Sequence, residues 1–442
     1  MIDPGGKAVE PRSAILAAQE AALRHTVAEL RANPFWRPRL ASLPPASELT
    51  VAEFQRLVPL LSKPEIVADQ AAHPPYGTNL TYPLHRYTRC HQTSGTTGVP
   101  LRWLDTAESW GQLTEVWAEV LRAAGVGRGD RAFFAFSFGP FIGFWLAFEA
   151  AERLGALCVP GGGLSTAARL RTILDHACTV LCCTPTYALR LAETAHEEGI
   201  SLRDSQVRVI VVAGEPGGSI PATRARIEAC WPGASVFDHH GMTEVGPVTH
   251  QCPVQPGVLH VIEPAFLAEV IDSESGAPVA PGQTGELVLS TLHRHGTPLL
   301  RYRTGDLVRP RTDPRSTDAP PCACGRSTLA LEGGILGRAD DMFIVRGVNV
   351  FPSAVENTLR RFPEVAEFQV TVDEGQPMTE MRIRIEPGVG CADVGGLVRR
   401  VELAFQVALS LRVPVIAVPP GSLPRFEMKA KRWERQRSAR AA

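Results

Sequence analysis

Residues 91–100 read HQTSGTTGVP, a crowding of hydroxyls and glycines that could hold a phosphate. Glycine lets the backbone approach an anion closely, and the Ser94, Thr96 and Thr97 hydroxyls and successive N–H groups can donate to its oxygens. The run is not of the Walker type, which needs a lysine that is missing here. Taken alone, such a run is more often a solvated turn. A second set with possible chemistry is Cys252, His260, Cys322 and Cys324. Four soft or borderline donors in two pairs could close a tetrahedral structural zinc site. The C-x-C spacing of the second pair departs from the usual pattern, and separate buried thiols with a surface histidine are the alternative. Other cysteines, such as Cys182 and Cys183 inside an apolar run, read as packing residues.

Such residues need a scaffold. With 442 residues, 44% of them hydrophobic, the chain can bury a large core and is expected to form two or three domains. The 45 basic and 46 acidic residues leave a net charge of −1 with no long charge block. That balance argues against a dedicated nucleic-acid or anionic-membrane binder and for small-molecule partners. The start, MIDPGGKAVEPR, lacks the apolar core of a signal peptide, so a cytoplasmic protein is expected, its cysteines thiols or metal ligands. Residues 132–148 are uncharged and rich in Phe, but Gly139-Pro140 and the charges at Glu149, Glu152 and Arg153 predict strand, loop and core helix rather than a bilayer span.

Hydrophobic spacing predicts an amphipathic helix over 13–31, ended by Pro34, then a proline-rich stretch with short helices to about residue 83. After a helix over 108–124, strands at 131–138, 156–160, 180–184, 207–213 and 235–239 alternate with helices. Alternation of this kind gives a largely parallel sheet with helices on its faces, and ligands sit at the loops leaving the carboxyl ends of its strands. Gly214-Glu215-Pro216 and His240-Gly241-Met242-Thr243-Glu244 lie at such ends. Strands at 266–271, 285–291 and 299–303 without intervening helices predict a small antiparallel subdomain. Beyond 337 the chain restarts as a βα-rich tail, with helices over 352–361 and 394–411 and an Arg-rich end read as disordered.

Five stretches stand in a fixed order: TSGTTG at 93–98, HGMTE at 240–244, YRTGD at 302–306, GRADD at 337–341 with RGVNVFP at 346–352, and PRFEMKAKR at 424–432. Together they resemble the adenylate-forming superfamily of acyl-CoA synthetases and adenylation domains. The RGVNVFP run, the short amino-terminal region and the LPR-x-E-x-KAKR ending resemble its phenylacetate-CoA ligase branch. This resemblance implies an α/β fold in two parts. Residues 1–337 would form a large adenylation domain of several subdomains, mostly parallel sheets plus a β-rich subdomain at about 251–336. Residues 338–442 would form a small mobile α+β domain pivoting near Asp340. The implied reaction is ATP-dependent activation of an aromatic carboxylic acid to an acyl-adenylate, with release of pyrophosphate and transfer to CoA. Transfer to an amine or a carrier-protein thiol in secondary metabolism is one alternative; a catalytically silent nucleotide-binding relative is another. The implied state is a monomer or homodimer.

The resemblance also implies roles. Thr93, Ser94, Gly95, Thr96, Thr97 and Gly98 would handle the β- and γ-phosphates. Gly214, Glu215 and Pro216, with Asp238, His239, His240, Gly241 and Met242, would border the adenine. Asp306 would accept from the ribose hydroxyls, with Arg338 near the nucleotide. Lys429, or Lys431 if the register is off by two, would bridge the acyl carboxylate and phosphate. Arg346 and Gly347 would border a pantetheine channel. The chemistry demands such a set, because a carboxylate attacking phosphate brings anion against anion. Glu244, next to Thr243, can help hold Mg²⁺, which takes a few carboxylates plus phosphate oxygens. Phe138 and Phe141 precede the helix that lines the acyl pocket in relatives, and aromatic walls suit an aromatic acid. Gly214 and Gly241 would border that pocket, and His239 could reach a ring hydroxyl or amine. Core packing for the phenylalanines and an ordinary hydrogen-bonded histidine are the alternatives. Four departures stand out: His240 where the family has tyrosine, Val99 where lysine often follows the loop, Gly305 where the branch often has arginine, and Met428 in place of glycine.

Overall fold

The strands Val180–Cys183 and Val209–Val212 are unbroken apolar runs, the pattern of strands covered on both faces. In the computed structural model, which describes residues 10–93, 100–346, 348–373, 379–426 and 430–436, they lie inside a five-stranded parallel sheet. Its order is Leu157–Pro160, Arg131–Phe134, Val180–Cys183, Val209–Val212, Ser235–Asp238. Alternate residues of these strands feed two cores, as the twofold side-chain period of a strand requires. Ala132, Phe134, Cys182 and Val211 enter one; Phe133, Leu181, Ile210 and Val236 enter the other.

Helices Ile142–Arg153, Thr166–Asp175, Pro185–Glu197 and Pro221–Cys230 join the strands. Their starts have local causes: the Ser165 hydroxyl accepts the Ala168 N–H, and the Thr184 hydroxyl accepts that of Tyr187, with Pro185 in the first turn. Helix Ala107–Ala123 is capped by Thr106 and buries Trp110, Leu113, Trp117, Val120 and Leu121 on one side. Truncating a fully buried member such as Leu121 to alanine costs about 2–5 kcal/mol.

The β-rich part holds a four-stranded antiparallel sheet, Phe266–Ile271, Gly285–Thr291, Tyr302–Val308 and Gly337–Arg338, and a three-stranded one, Thr249–Gln251, Val258–Val261 and Ala330–Glu332. Two expected strand boundaries are corrected. The strand expected over 299–303 runs Tyr302–Val308, because Arg301 adopts φ 47° while its guanidinium pairs with Glu269 at 2.9 Å. The strand expected to reach 138 stops at Phe134, since Phe138 turns the chain at φ 48° ahead of Gly139-Pro140. The amino-terminal helix Arg12–Leu30 docks on this part through Arg12, buried against Glu263, and through Gln19, which donates to the Phe266 carbonyl at 2.8 Å.

The carboxyl-terminal part has its own core of Val355, Leu359, Phe368, Val370, Ile383, Leu397, Val401 and Phe405. Its sheet runs Val415–Ala417, Glu380–Pro387, Val365–Asp373, Trp433–Gln436, backed by helices Pro352–Arg360 and Val394–Leu409. The last strand belongs to the stretch read as disordered; it pairs in parallel with Val365–Asp373. Among the described residues no helix is long and apolar enough to cross a membrane.

Candidate active site

The carboxyl ends of Val209–Val212 and Ser235–Asp238 lie side by side, and the chain leaving them carries most of the expected site. Asp238 is buried, accepting from the Ser219 hydroxyl and, at 3.0 Å, from the His239 N–H; burial pushes its carboxyl above the ordinary value. Next comes a chain of charges. His240 Nε2 lies 2.9 Å from Asp306 Oδ2, Arg338 stands 3.4 Å from Asp306 Oδ1, and Arg338 Nε donates to Asp340 at 2.8 Å. Gly305 makes room for this. At φ 76° it sits where a Cβ would come within 2.8 Å of the Arg338 guanidinium. With Nε2 directed to Asp306, His240 Nδ1 is a buried ring nitrogen without a partner among the described residues, an atom that a bound polar group would satisfy.

Glu244 is buried at 6% exposure and meets the ammonium of Lys63 at 3.0 Å. Its backbone is held from behind. Arg294 donates to the carbonyls of Thr243 at 3.0 Å and Glu244 at 2.8 Å, and forms two bonds with Asp105 at 2.8 and 2.7 Å. Both members of that pair are buried, so the charges compensate one another out of water. Lys63, Asp105 and Arg294 were all missed by sequence reasoning. The Ser62-x-x-Glu65 capping box marks the start of helix Lys63–Ala72 but carries no sign of the role of Lys63.

Thr93 closes the base of the expected phosphate loop: its N–H donates to the Leu101 carbonyl at 3.0 Å and its hydroxyl accepts the Leu101 N–H at 3.1 Å. Ser94, Gly95, Thr96, Thr97, Gly98, Gly347 and Lys429 lie outside the described residues. Lys431 is exposed. Glu215 has both oxygens engaged, accepting the Thr186 N–H at 2.8 Å and the Ala430 N–H at 2.9 Å. Gly214, at φ 93°, and Pro216 flank it on the surface. Arg346 is not brought to this group. It stands exposed at the turn between Phe343–Val345 and Val348–Val350, near Glu380 and the Arg412 carbonyl. Asp340 is exposed, and its carbonyl accepts from Arg435 at 2.9 Å.

The acyl-pocket candidates divide. His239 is buried against Trp117, ring centroids 4.4 Å apart, and its Nδ1 lies 2.7 Å from the Thr249 carbonyl. That carbonyl can only accept, so Nδ1 carries the proton. Burial lowers the ring's pKa to about 4, leaving Nε2 a neutral acceptor. Nε2 lies 3.3 Å from where a Cβ on Gly241 would be. Gly241 must be glycine, since that Cβ would also meet the Gly246 carbonyl at 2.8 Å. Helix Ile142–Arg153 packs on Gly241–Met242 and Gly246–Pro247, carrying Trp145 and Phe148 against Phe138 at centroid distances of 5.3 and 5.5 Å. Phe141 lies at the amino-terminal cap of that helix.

Cys252, His260, Cys322 and Cys324 converge, with their ligand atoms all within 4.8 Å of one another. Cys252 and Cys322 sulfurs are 3.8 Å apart, and Cys324 Sγ lies 3.4 Å from His260 Nε2. A tetrahedral zinc with about 2.3 Å to sulfur and about 2.0 Å to nitrogen requires sulfur–sulfur edges of about 3.8 Å and sulfur–nitrogen edges of about 3.5 Å. The other ring nitrogen of His260 meets the Thr328 hydroxyl at 3.0 Å, fixing the ring as outer partners of metal-binding histidines do.

The chain is similar to known proteins over most of its length. Residues 92–293 match the family described as AMP-binding enzyme, and residues 347–437 match the AMP-binding enzyme C-terminal domain. The chain is 32% identical over 440 residues to the phenylacetate-coenzyme A ligase of Thermus thermophilus, covering 94% of this chain and 95% of that protein. It is 32% identical over 366 residues to the Escherichia coli phenylacetate-coenzyme A ligase, covering 79% of each. Among solved structures, 2-hydroxyisobutyryl-CoA ligase in its postadenylation state with 2-HIB-AMP superposes with a TM-score of 0.90 at 28% identity, over 97% of this chain and 91% of that one. The same ligase in its thioesterification state, with 2-HIB-AMP and CoA, gives 0.68 at 29% identity, over 96% and 90%.

Proposed function

The chain belongs to the phenylacetate-coenzyme A ligase family of AMP-binding enzymes, and we propose that the acid it activates is aromatic and carries a hydrogen-bond donor on its ring. The enzyme is an AMP-forming acid–thiol ligase. The acid carboxylate attacks the α-phosphorus of ATP as the bond to pyrophosphate breaks. The CoA thiolate then attacks the acyl carbon and expels AMP. The observation that carries the aromatic reading is a set of rings: Phe138 meets Trp145 and Phe148 on the helix that packs on strand Gly241–Met242, and Trp117 meets His239 just ahead of that strand. The neutral His239, buried against the Trp117 ring with its proton on Nδ1, supports the second half of the proposal: an Nε2 acceptor beside an aromatic ring selects a hydroxyl or amine over a bare ring.

In this reading the loop at 93–98 receives the β- and γ-phosphates, with Lys63 as a cation beside them in place of the lysine that Val99 replaces. Asp306 receives the ribose hydroxyls, and the unpartnered Nδ1 of His240 meets a polar atom of the base. Arg338 holds Asp306 ready and ties it to Asp340, the pivot between 1–337 and 338–442. Lys429 bridges carboxylate and α-phosphate, then leaves when the carboxyl-terminal part turns and brings Arg346 and Gly347 towards CoA. Glu244, a buried carboxylate on a backbone fixed by Arg294, fits as a Mg²⁺ ligand. Bound Mg²⁺ neutralises phosphate charge during the displacement. Cys252, His260, Cys322 and Cys324 would hold a structural zinc, whose bonds tie residues 310–321 to strand Val258–Val261.

ATP–pyrophosphate exchange across benzoates, arylacetates, their hydroxy and amino derivatives, and 2-hydroxyisobutyrate tests the proposal. Exchange is expected with a hydroxylated or aminated aromatic acid, and His239→Leu should erase its advantage over the unsubstituted acid. Exchange with aliphatic acids alone would refute the aromatic reading.

A further inference from the structure

Glu215 joins the two parts of the molecule. One oxygen accepts the N–H of Thr186, in the first turn of helix Pro185–Glu197, and the other accepts the N–H of Ala430. The first bond completes a cap: Pro185 has no N–H to satisfy, and the Thr184 hydroxyl takes that of Tyr187. The second bond reaches across to the residue that follows Lys429. Two residues on, Arg432 repeats the bridge. Its guanidinium is buried at 5% exposure, donates to Glu367 at 2.7 and 3.1 Å, and reaches the Thr186 hydroxyl at 3.2 Å. It also lies over the ring of Phe368 at 5.0 Å. Thr186 therefore meets both: its N–H through Glu215 and its hydroxyl through Arg432.

We propose that Glu215 is a positioning residue that seats the backbone of Ala430, the neighbour of Lys429, for adenylation, so that it serves the first half-reaction and not the second. This rests on the reading of Lys429 as the adenylating lysine. Both side-chain oxygens of Glu215 are taken by backbone N–H groups, so its expected place at the adenine belongs to its main chain. Charge-assisted bonds from a carboxylate to backbone donors are directional, which suits a seat for one segment. The seat belongs to one arrangement of the two parts. This structure matches 2-hydroxyisobutyryl-CoA ligase in its postadenylation state at a TM-score of 0.90, against 0.68 for the thioesterification state. Turning the carboxyl-terminal part carries Ala430 and Arg432 away from Glu215 and Thr186 and frees the helix cap to hydrate.

The test measures the two half-reactions separately in the full-length protein: acid-dependent ATP–pyrophosphate exchange, and thioester formation from supplied acyl-adenylate and CoA. Glu215→Ala is expected to lower kcat for exchange at least tenfold, to change KM for ATP less than threefold, and to leave thioester formation within twofold. Glu215→Gln keeps one carbonyl oxygen for two N–H donors and should fall between Glu215→Ala and wild type in exchange alone. A raised KM for ATP at unchanged kcat, or equal loss in both half-reactions, would overturn the assignment. Should Glu215→Ala unfold, the Gln variant gives the same split. Lys429→Ala distinguishes failures: full exchange in that variant rejects the lysine reading, whereas its loss together with normal exchange in both Glu215 variants rejects the seat alone.

Discussion

Lys63 and Glu244 stand 181 positions apart in the chain, yet their charged groups meet at 3.0 Å. The lysine is held there by strand register: Leu61 bridges Tyr302, and its N–H and carbonyl bond the Arg301 carbonyl and Arg303 N–H at 2.9 Å each. A cation fixed beside the expected Mg²⁺ carboxylate has two uses. On the proposed reading it would balance Glu244 before the nucleotide arrives and offer positive charge to the phosphates afterwards. Lys63→Met should therefore lower kcat/KM for ATP by roughly 10- to 100-fold, the effect of about 1.5–3 kcal/mol for a hydrogen bond to a charged group. Initial rates of pyrophosphate exchange at varied ATP check this, and an unchanged kcat/KM would dismiss the role.

The Asp105–Arg294 pair acts from behind. Replacing Asp105 by Asn leaves a buried guanidinium uncompensated, and breaking a buried pair in this way costs about 3–5 kcal/mol. Arg294 also loses its orientation towards the Thr243 and Glu244 carbonyls. The variant is expected to show both a lower Tm in calorimetry and slower adenylation. Replacing the pair together with apolar residues should restore Tm far better than it restores rate, since the carbonyls of Thr243 and Glu244 then have no donor.

Buried histidines, His91 and His239 among them, give the fold a one-sided response to acid. Burial lowers the pKa of both His91, stacked on Trp110 at 5.0 Å, and His239 to about 4. In the unfolded chain each titrates at about 6.5. Between those values the unfolded chain binds protons that the folded one refuses, so stability rises with pH across the interval. The contribution is complete above about pH 6.5 and is lost as pH falls towards 4, by up to about 3 kcal/mol per histidine. Denaturant midpoints measured from pH 7 down to pH 4.5 should fall steadily. His91→Gln is expected to flatten part of the slope, and an unaltered slope would count against His91 as a source.

The sheet and its ligand-bearing edge were legible because both follow from short-range pattern. Val209–Val212 declares a doubly covered strand by composition, and Gly214 to Pro216 mark where it ends. The Cys252, His260, Cys322 and Cys324 set was legible by residue type alone, and folding brings it together from two antiparallel strands and a turn. Lys63, Asp105 and Arg294 were not legible, because a buried or half-buried charge has meaning only beside its partner. Asp105 finds Arg294 after 189 residues. The seat on Glu215 was hidden for a different reason: what it grips at Ala430 is a backbone N–H, which every residue but proline possesses. Arg301 shows the limit for strands, since a left-handed residue displaced the expected strand by three positions without any glycine to announce it.

Metal removal tests the cysteine cluster. Strand Val258–Val261 carries His260, Cys252 follows Thr249–Gln251, and Cys322 and Cys324 sit on the turn leading back to Ala330–Glu332. A zinc bound there would fasten three segments at one point, beside the bridge of Pro310 to Leu331 and the bond from the Arg311 N–H to the Ala330 carbonyl. Freshly purified protein is expected to contain one zinc per chain by elemental analysis. Stripping it with a chelator at neutral pH, or making Cys324→Ser, should lower Tm by a few degrees and speed proteolysis within 310–328, because four bonds that hold the turn are lost. Adenylation should fall much less, since the cluster shares no side chain with Glu244, His240 or Asp306. Metal-free protein as purified, with Tm indifferent to added zinc, would establish these residues as packed thiols beside a hydrogen-bonded histidine.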